Sequence, residues 1–236
     1  MNHLYPLFRR ALMLSSVILA THAMALAPAT AVAATQATTA ATSAVEDLSP
    51  EQAVTLFKTL PAPTMEEMNG EFSGEMTTFP TLTKKLFWSV ASKNPFYVGI
   101  WQGKSFRQTG PGEGRGYNTV WRLFGGETDL WPMITSIGPS YFDGKPSFRL
   151  VYRAFDHHAG NIHMLDEVRR LPDGRYLGIG RTGNSAEERR MPMPFLLKAR
   201  IGDYRKDIGE PRAGFDLGAE FQLLEFPESA YKPAAK

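Results

Sequence analysis

The stretch Ile162-His-Met-Leu-Asp-Glu-Val-Arg-Arg-Leu-Pro-Asp-Gly-Arg-Tyr-Leu-Gly-Ile-Gly-Arg181 holds two runs that are typical of β-strands, joined by a short turn. The turn is Pro172-Asp173-Gly174, whose proline and glycine favour a tight reversal of the chain. Strands joined by so short a connection must be antiparallel, because a parallel crossover needs about a dozen residues or more. In the first run Val168 shares its parity with Asp166, so we expect the Asp166 side chain to point inward.

The same pattern continues on both sides of this hairpin. From Gly70 onward, runs rich in β-branched and aromatic residues are separated mostly by short turns that contain glycine. The predicted strands are Glu71–Phe79, a run ending near Gln108, Tyr117–Phe124, Leu130–Ile137, Phe148–Phe155, Ile162–Arg170, Tyr176–Arg181 and Phe195–Ile201. Between the second and third of these, Gly110–Gly116 is predicted to form a mobile hairpin loop. About eight antiparallel strands can close an up-and-down β-barrel whose interior holds one small ligand.

A short helix precedes the strands. Ser49-Pro50-Glu51-Gln52 combines an N-cap serine, a proline at the first helical position and a glutamine at the third. An apolar stripe then predicts a helix from Pro50 to about Leu60, and Thr64-Met-Glu-Glu67 predicts one further turn. The fold class is therefore mainly β, an antiparallel barrel with a short N-terminal helix.

Residues 1–33 have the order of a signal peptide. Arg9 and Arg10 precede an apolar run, and small-residue triplets such as Ala31-Val-Ala33 offer cleavage sites. The run is shorter than the roughly 20 apolar residues of a spanning helix, which disfavours an uncleaved membrane anchor. We therefore expect export to the periplasm or secretion, with no stable membrane anchor after cleavage. The arginine pair leaves the general and the twin-arginine export routes both open.

The rest of the chain is predicted to hold one domain. Residues 34–45 are rich in alanine and threonine and read as a disordered linker. Residues 46–226 have enough apolar material for a single core, and residues 227–236 are predicted to be a flexible tail. The whole chain has 236 residues, of which 43% are hydrophobic.

Charge and cysteine content exclude several classes of protein. Removing the predicted leader removes two arginines and no acid, so the mature chain is formally neutral despite a net charge of +2 for the whole sequence. A neutral chain without basic clusters is not expected to bind nucleic acid. The absence of cysteine excludes disulfide scaffolds, thiolate metal sites and cysteine nucleophiles.

Several short motifs, taken in order after the leading helix, resemble the GXWXG-motif proteins and their companion C-terminal domain of unknown function. They are Met68-Asn-Gly70-Glu-Phe72-Ser-Gly74, Trp101-Gln-Gly103-Lys104-Ser-Phe106, Tyr141-Phe-Asp143-Gly144, Asp166-Glu-Val-Arg169-Arg170, Leu177-Gly178 and Phe195-Leu196-Leu197. The resemblance implies a small lipocalin-like (calycin) β-barrel of unsettled activity. The chain resembles a divergent member of this family, because the name-giving tryptophan is Phe72 here. An aromatic side chain between two glycines is also suited to closing one end of a barrel, because the glycines let another strand approach closely.

Three histidines are candidate metal ligands, but their spacing does not favour a metal site. His157, His158 and His163 lie within seven residues, and imidazole is a common ligand of zinc, copper and iron. A predicted turn at Gly160 separates the pair from His163, and parity places His163 opposite Asp166. We therefore expect surface histidines at a hairpin end, with no metal and no cofactor.

Asp166 is the acid of greatest interest. An inward carboxylate in an apolar lumen either has a raised pKa, which suits acid–base chemistry or binding of a polar ligand group, or forms a salt bridge to an interior arginine. The leading hypothesis is a barrel that binds a small apolar or amphipathic, lipid-like molecule. The candidate lining residues are Tyr117, Trp121, Tyr152 and Asp166.

Two alternatives stay open. An enzyme that acts on an apolar substrate by acid–base chemistry at Asp166 would use the same lumen. A filled barrel with a structural or protein-binding role would have no cavity. The sequence favours binding over catalysis and assigns no catalytic residue.

Overall fold

Eight antiparallel strands close into a β-barrel in the computed structural model, which describes residues 45–77, 99–182, 185 and 190–222. Each strand pairs with the next along the chain, and the last pairs with the first. The strands are β1 (Gly70–Met76), β2 (Ile100–Gly110), β3 (Glu113–Arg122), β4 (Gly126–Pro139), β5 (Pro146–Val151), β6 (Leu165–Arg170), β7 (Tyr176–Arg181) and β8 (Met193–Gly202). The predicted fold class, a mainly β up-and-down barrel, is confirmed.

Helix α1 (Pro50–Phe57) begins as its sequence predicts. The Gln52 amide donates to Ser49 Oγ at 3.2 Å, and the Ser49 amide donates to Gln52 Oε1 at 2.8 Å, which completes a capping box. The helix ends three residues before the predicted Leu60, and the chain leaves it through a turn in which the Leu60 amide donates to the Phe57 carbonyl. Two short helices follow later, α2 (His158–Asn161) and α3 (Leu217–Gln222).

Aromatic rings from opposite sides of the barrel meet in the lumen. The ring centroids of Phe106 on β2 and Phe148 on β5 lie 5.2 Å apart, edge to face. On the other side of Phe106, Phe72 of β1 packs against both Phe106 and Tyr176 of β7. Strands β2 and β5 are not neighbours in the sheet, so their side chains can meet only through the interior. The lumen therefore holds a packed apolar core.

Glycines make room for two of the interior rings. A Cβ atom at Gly178 would lie 2.1 Å from Cζ of Phe195, and one at Gly74 would lie 2.3 Å from Cη2 of Trp101. Both distances are far below van der Waals contact, so only glycine fits beside these rings. The Gly70–Gly74 motif thus gives close approach to a neighbouring strand, as its glycines predict.

A second apolar layer covers the outside of β7 and β8. Helix α1 packs there, and Phe57 meets Leu177 and Leu196 in one buried cluster. Every residue of β7 is consequently buried, on both faces of the strand. Val45, the last residue of the predicted linker, is 1% exposed and belongs to the same cluster, so the packed part of the chain already includes it.

Charged residues are also buried on this outer side. Glu167 of β6 accepts hydrogen bonds from Arg181 at 2.8 Å and from the Ser147 hydroxyl at 3.0 Å. Arg169 donates to both carboxylate oxygens of Asp143, at 2.7 and 2.8 Å. These outer ion pairs join β5, β6 and β7 to the turn that precedes β5.

The segment after β8 crosses the outside of β3 and β4. The Arg205 amide donates to the Tyr117 hydroxyl at 3.1 Å, and the Arg205 guanidinium contacts Asp129 at 2.9 Å. Further along, Arg115 donates to the carbonyl oxygens of Ile208 and Gly209. This segment, residues 203–209, therefore covers an outer face of the sheet.

Two local predictions are wrong. The hairpin loop predicted at Gly110–Gly116 is shorter than these bounds, because β2 runs to Gly110 and β3 begins at Glu113, which leaves a turn of two residues. The predicted strand Ile162–Arg170 begins only at Leu165, because α2 and the residues after it form the connection from β5. In the described ranges, no helix is long and apolar enough to cross a bilayer.

The predicted signal peptide lies entirely outside the described residues, as do the linker up to residue 44 and the C-terminal tail. The last three residues predicted for the first strand, 77–79, lie beyond β1, and the structure describes only the first of them.

Candidate functional site

Four polar side chains meet inside the barrel and form what we call the lumen cluster, Lys104, Asn118, Tyr152 and Asp166. They come from β2, β3, the residue after β5, and β6. Lys104 is 3% exposed and Asp166 is fully buried. Because β2 and β6 lie on opposite sides of the closed sheet, the Lys104–Asp166 contact spans the lumen.

Lys104 stands at the centre of the lumen cluster. Its Nζ donates to the Tyr152 hydroxyl at 2.6 Å and to Asn118 Oδ1 at 2.8 Å. A third contact, 3.0 Å long, joins Nζ to Asp166 Oδ2. An ammonium group has three hydrogens, so these contacts use its full donor capacity.

The remaining polar atoms of the lumen cluster are satisfied with one exception. The Tyr152 hydroxyl donates to Asp166 Oδ2 at 3.0 Å and accepts from Asn118 Nδ2 at 3.1 Å. Asn118 Oδ1 also accepts from Trp101 Nε1 at 3.0 Å. Asp166 Oδ1, by contrast, is buried and has no hydrogen-bond partner in the described part of the chain. A buried carboxylate oxygen without a donor is costly, so this atom is the open position of the cluster.

Aromatic faces surround the Lys104 ammonium. Nζ lies 5.0 Å from the centroid of the Phe195 ring, 5.3 Å from that of Tyr152 and 5.4 Å from that of Trp101. The negative faces of such rings attract a cation and exclude water from it. The amine is thus held by three rings in addition to its three hydrogen bonds.

Burial sets the protonation behaviour of this site. Removal from water lowers the pKa of the Lys104 amine below its ordinary value, and the charge of Asp166 opposes that effect only in part. Burial also raises the pKa of the Tyr152 hydroxyl well above its ordinary value, and the nearby Asp166 charge adds to the increase. Tyr152 therefore stays a neutral donor at physiological pH, whereas Lys104 loses its proton more readily than a surface lysine does.

The lumen cluster lies toward one end of the barrel. Asp166 is the second residue of β6 and Tyr152 directly follows β5, so both lie beside the β5–β6 connection. At the opposite end, Met65 and Met68 are buried in the lumen core and close the barrel before β1 begins. The last residues of β1, β3, β5 and β7 and the first residues of β2, β4, β6 and β8 all lie at the end nearest the cluster.

A glycine faces the open position of Asp166. Gly180 pairs with Asp166 across the β6–β7 ladder, and a Cβ atom there would lie 2.9 Å from Asp166 Oδ1. A larger residue at position 180 would crowd this oxygen. The sheet thus keeps side-chain atoms away from the one unpartnered acceptor of the lumen cluster.

The structure brings together two of the four predicted lining residues. Tyr152 and Asp166 are in direct contact in the lumen. Tyr117 and Trp121 lie on the opposite parity of β3 from Asn118, so they face away from the lumen cluster. Tyr117 is buried beneath Tyr204, with ring centroids 4.9 Å apart, and Trp121 is 39% exposed.

Sequence reasoning missed the cation of the site. The predicted salt bridge of Asp166 was to an interior arginine, whereas its partner is Lys104. Lysine is almost never fully buried, so composition gave no reason to place it inside. The alternation of side chains along β2 could have indicated a buried lysine. Lys104 lies two residues before Phe106, a core residue, so both side chains are on the same face of the strand.

His157, His158 and His163 are not grouped with other potential ligands of the described part of the chain in the way that a metal ion needs. Among the described residues, no group of three or more histidine, aspartate or glutamate side chains is arranged to hold a metal ion. His157 caps α2 instead, since its Nδ1 accepts from the Gly160 amide at 3.2 Å. Its Nε2 lies 2.9 Å from the Pro132 carbonyl oxygen, so Nε2 carries the proton. Burial lowers the pKa of His157, which agrees with a neutral ring.

Comparison with known proteins gives little further information. No family model matches the chain, and a comparison with curated proteins found no match. Among solved structures it is similar to a protein from Thermomonospora curvata, with 14% sequence identity and a TM-score of 0.40. That similarity covers 61% of this chain and 84% of the other. The resemblance to GXWXG-motif proteins therefore stays a prediction.

Proposed function

We propose that the barrel binds a small amphipathic molecule whose polar end meets the lumen cluster and whose apolar part packs among the lumen side chains. One observation carries this proposal. Asp166 Oδ1 is a buried carboxylate oxygen that lacks a donor among the described residues, inside a lumen whose other side chains are mostly apolar. A ligand that presents an N–H or O–H group would complete it.

The free-energy cost of burying the lumen cluster supports a ligand-binding role over a barrel whose interior is filled only for stability. Two charges buried in a barrel cost several kcal/mol each to desolvate, and well-packed hydrophobic residues often serve stability equally well or better. Phe106 and Phe148 show that this lumen is packed with rings where no polar group is present. The Lys104–Asp166 pair therefore has a chemical role that a filled barrel would not require.

Export fits the same function. The leader pattern of residues 1–33 supports delivery to the periplasm or the medium, where a barrel can carry an apolar molecule through water. The near-zero charge of the mature chain supports a small-molecule partner rather than a polyanion.

Binding of N-phenyl-1-naphthylamine tests the proposal, because this probe combines an apolar body with a single N–H donor and fluoresces strongly away from water. We expect saturable binding by the full chain. The variant Lys104→Met/Asp166→Leu removes both charges and keeps a lumen of similar volume, so it should fold and bind the probe at least about tenfold more weakly, the loss of one charge-assisted hydrogen bond.

Glu75→Gln is the matched control. Glu75 belongs to an exposed ion pair with Lys198 on the outside of the barrel, so its removal should leave probe affinity unchanged. Equal affinity of the wild-type chain and the folded double variant would overturn the assignment of the site. Native mass spectrometry of the chain from its own host would then show whether any small molecule copurifies.

A further inference from the structure

The Lys104 amine has surroundings that suit covalent capture of a ligand. We propose that Lys104 Nζ forms an imine with an aldehyde or ketone group of the bound amphiphile, an inference that rests on the proposed lumen site. The ligand class is then a carbonyl compound with an apolar body. The argument starts from the position of Nζ among polar and aromatic groups.

The geometry holds the amine at one point of the lumen. Three hydrogen bonds, to Tyr152, Asn118 and Asp166, fix Nζ within 2.6–3.0 Å of its partners. A surface lysine moves through many rotamers, whereas this one is ordered before any ligand arrives. Such pre-organisation brings a nucleophile and a bound carbonyl carbon into effective contact at little entropic cost.

The surroundings also favour the neutral amine that attack requires. Nζ is enclosed by the rings of Trp101, Tyr152 and Phe195, and its carboxylate partner can accept a proton. Burial lowers the pKa of the amine, as noted above. Desolvated lysines of this kind are the ones that act as nucleophiles toward carbonyl groups.

The chemistry balances without any further reagent. The Lys104 ammonium gives one proton to Asp166, and the freed lone pair attacks the carbonyl carbon. The nitrogen of this adduct, now positively charged, passes a second proton to the former carbonyl oxygen, which gives a neutral carbinolamine. The carbinolamine hydroxyl then leaves as water, with the proton returned from Asp166, and a protonated imine remains. One ammonium and one carbonyl compound thus become one iminium ion and one water molecule, with no change of oxidation state.

The two carboxylate oxygens of Asp166 have different roles in imine formation. Oδ2 contacts Nζ and remains the counter-ion of the iminium nitrogen. Oδ1 belongs to the same carboxylate and lacks a donor among the described residues, so it can hydrogen-bond to the carbinolamine hydroxyl and return the proton with which that hydroxyl leaves. Tyr152 and Asn118 act as positioning residues, because each holds Nζ or Asp166 through a hydrogen bond.

Reductive trapping tests this inference. The full chain is incubated with limiting decanal and sodium cyanoborohydride near neutral pH, and the modified lysine is located by peptide mass spectrometry. We expect the alkyl group on Lys104 in large excess over exposed lysines such as Lys198, which have no enclosed lumen site to hold the aldehyde. Lys104→Arg keeps the positive charge but cannot form an imine, so its trapping should fall to the level of the exposed lysines.

Decan-1-ol separates the two proposals. It shares the apolar chain of decanal but has no carbonyl group, so it should compete with both decanal and the naphthylamine probe without forming an adduct. Competition by decanol together with no preference of decanal for Lys104 in the wild-type chain would overturn the imine and leave lumen binding intact. Failure of decanol, decanal and the probe to bind at all would overturn lumen binding itself.

Discussion

Replacing Lys104 with methionine isolates the energetics of the lumen cluster. Methionine keeps most of the side-chain volume and removes the charge, so Asp166 stays buried with only the Tyr152 hydroxyl to donate to it. Breaking a buried ion pair on one side costs about 3–5 kcal/mol, because the other charge is left uncompensated. For a domain of this size we expect the melting temperature to fall by about 6–20 °C.

The second variant completes a double-mutant cycle. Lys104→Met/Asp166→Leu removes both charges, and its stability should return to within about 1 kcal/mol of the wild-type chain or exceed it. Urea unfolding followed by circular dichroism measures each free energy. Lys198→Met is the control, because the Lys198–Glu75 pair is exposed and is expected to contribute less than about 1 kcal/mol.

The cycle has a clear negative outcome. If Lys104→Met and Asp166→Leu each cost less than about 1 kcal/mol and their effects simply add, the two groups are not coupled in the folded protein. The lumen ion pair would then not exist in solution, and both the binding site and the imine derived from it would lose their basis.

Two further predictions concern the frame around the site. Gly178→Ala should destabilise the fold by about 1–3 kcal/mol, because the new Cβ would overlap the Phe195 ring. Gly110→Ala is the control, since the space around Gly110 is open, and it should change the free energy of unfolding by less than about 0.5 kcal/mol. Equal shifts of the melting temperature in the two variants would contradict this packing. The folded pKa of His157 lies below its unfolded value, so its contribution to stability is present at neutral pH and is lost as the pH falls below about 6.5. The wild-type melting temperature should therefore drop more between pH 7 and pH 5 than that of His157→Asn, which keeps an N-cap side chain, and parallel curves would refute the assignment.

The strands and the inward direction of Asp166 follow from local sequence. Turns such as Pro172-Asp173-Gly174 limit the chain to antiparallel neighbours, and parity with Val168 places Asp166 on the core face. These features depend on residues close together in the chain. Local patterns are therefore sufficient for the antiparallel hairpins of this barrel and for one side of its ion pair.

Parity gives less information where both faces of a strand are buried. Large apolar residues occupy both parities of β3, and Tyr117 is buried because residues 203–209 cover the outer face, not because it lines the lumen. Strand β7 is buried on both faces for a similar reason, since α1 covers it. Contacts between segments far apart in the sequence bury these outer faces, and the alternation of residues within a strand cannot predict such contacts.

The partner of Asp166 could not be chosen from composition for the same reason. Lys104 and Asp166 are 62 positions apart and meet only once the sheet closes on itself. A strand that reads Gly103-Lys104-Ser105-Phe106 is compatible with an exposed lysine until closure fixes which parity faces inward.

Closure also explains why the lumen cluster is better suited to a ligand than the charges on the outer side. Glu167 has Arg181, Ser147 and the Tyr141 amide as donors, and these contacts tie together neighbouring parts of the sheet and its cover. Asp166 contacts Lys104 across the lumen and Tyr152 beside it, and one of its oxygens is left without a donor among the described residues. The burial of a charge such as that of Glu167 is explained by the strands and turns that its contacts hold together. The contacts of the fold do not explain in this way a buried charge pair that ends in an open acceptor and is surrounded by aromatic rings, which is why we propose a ligand for it.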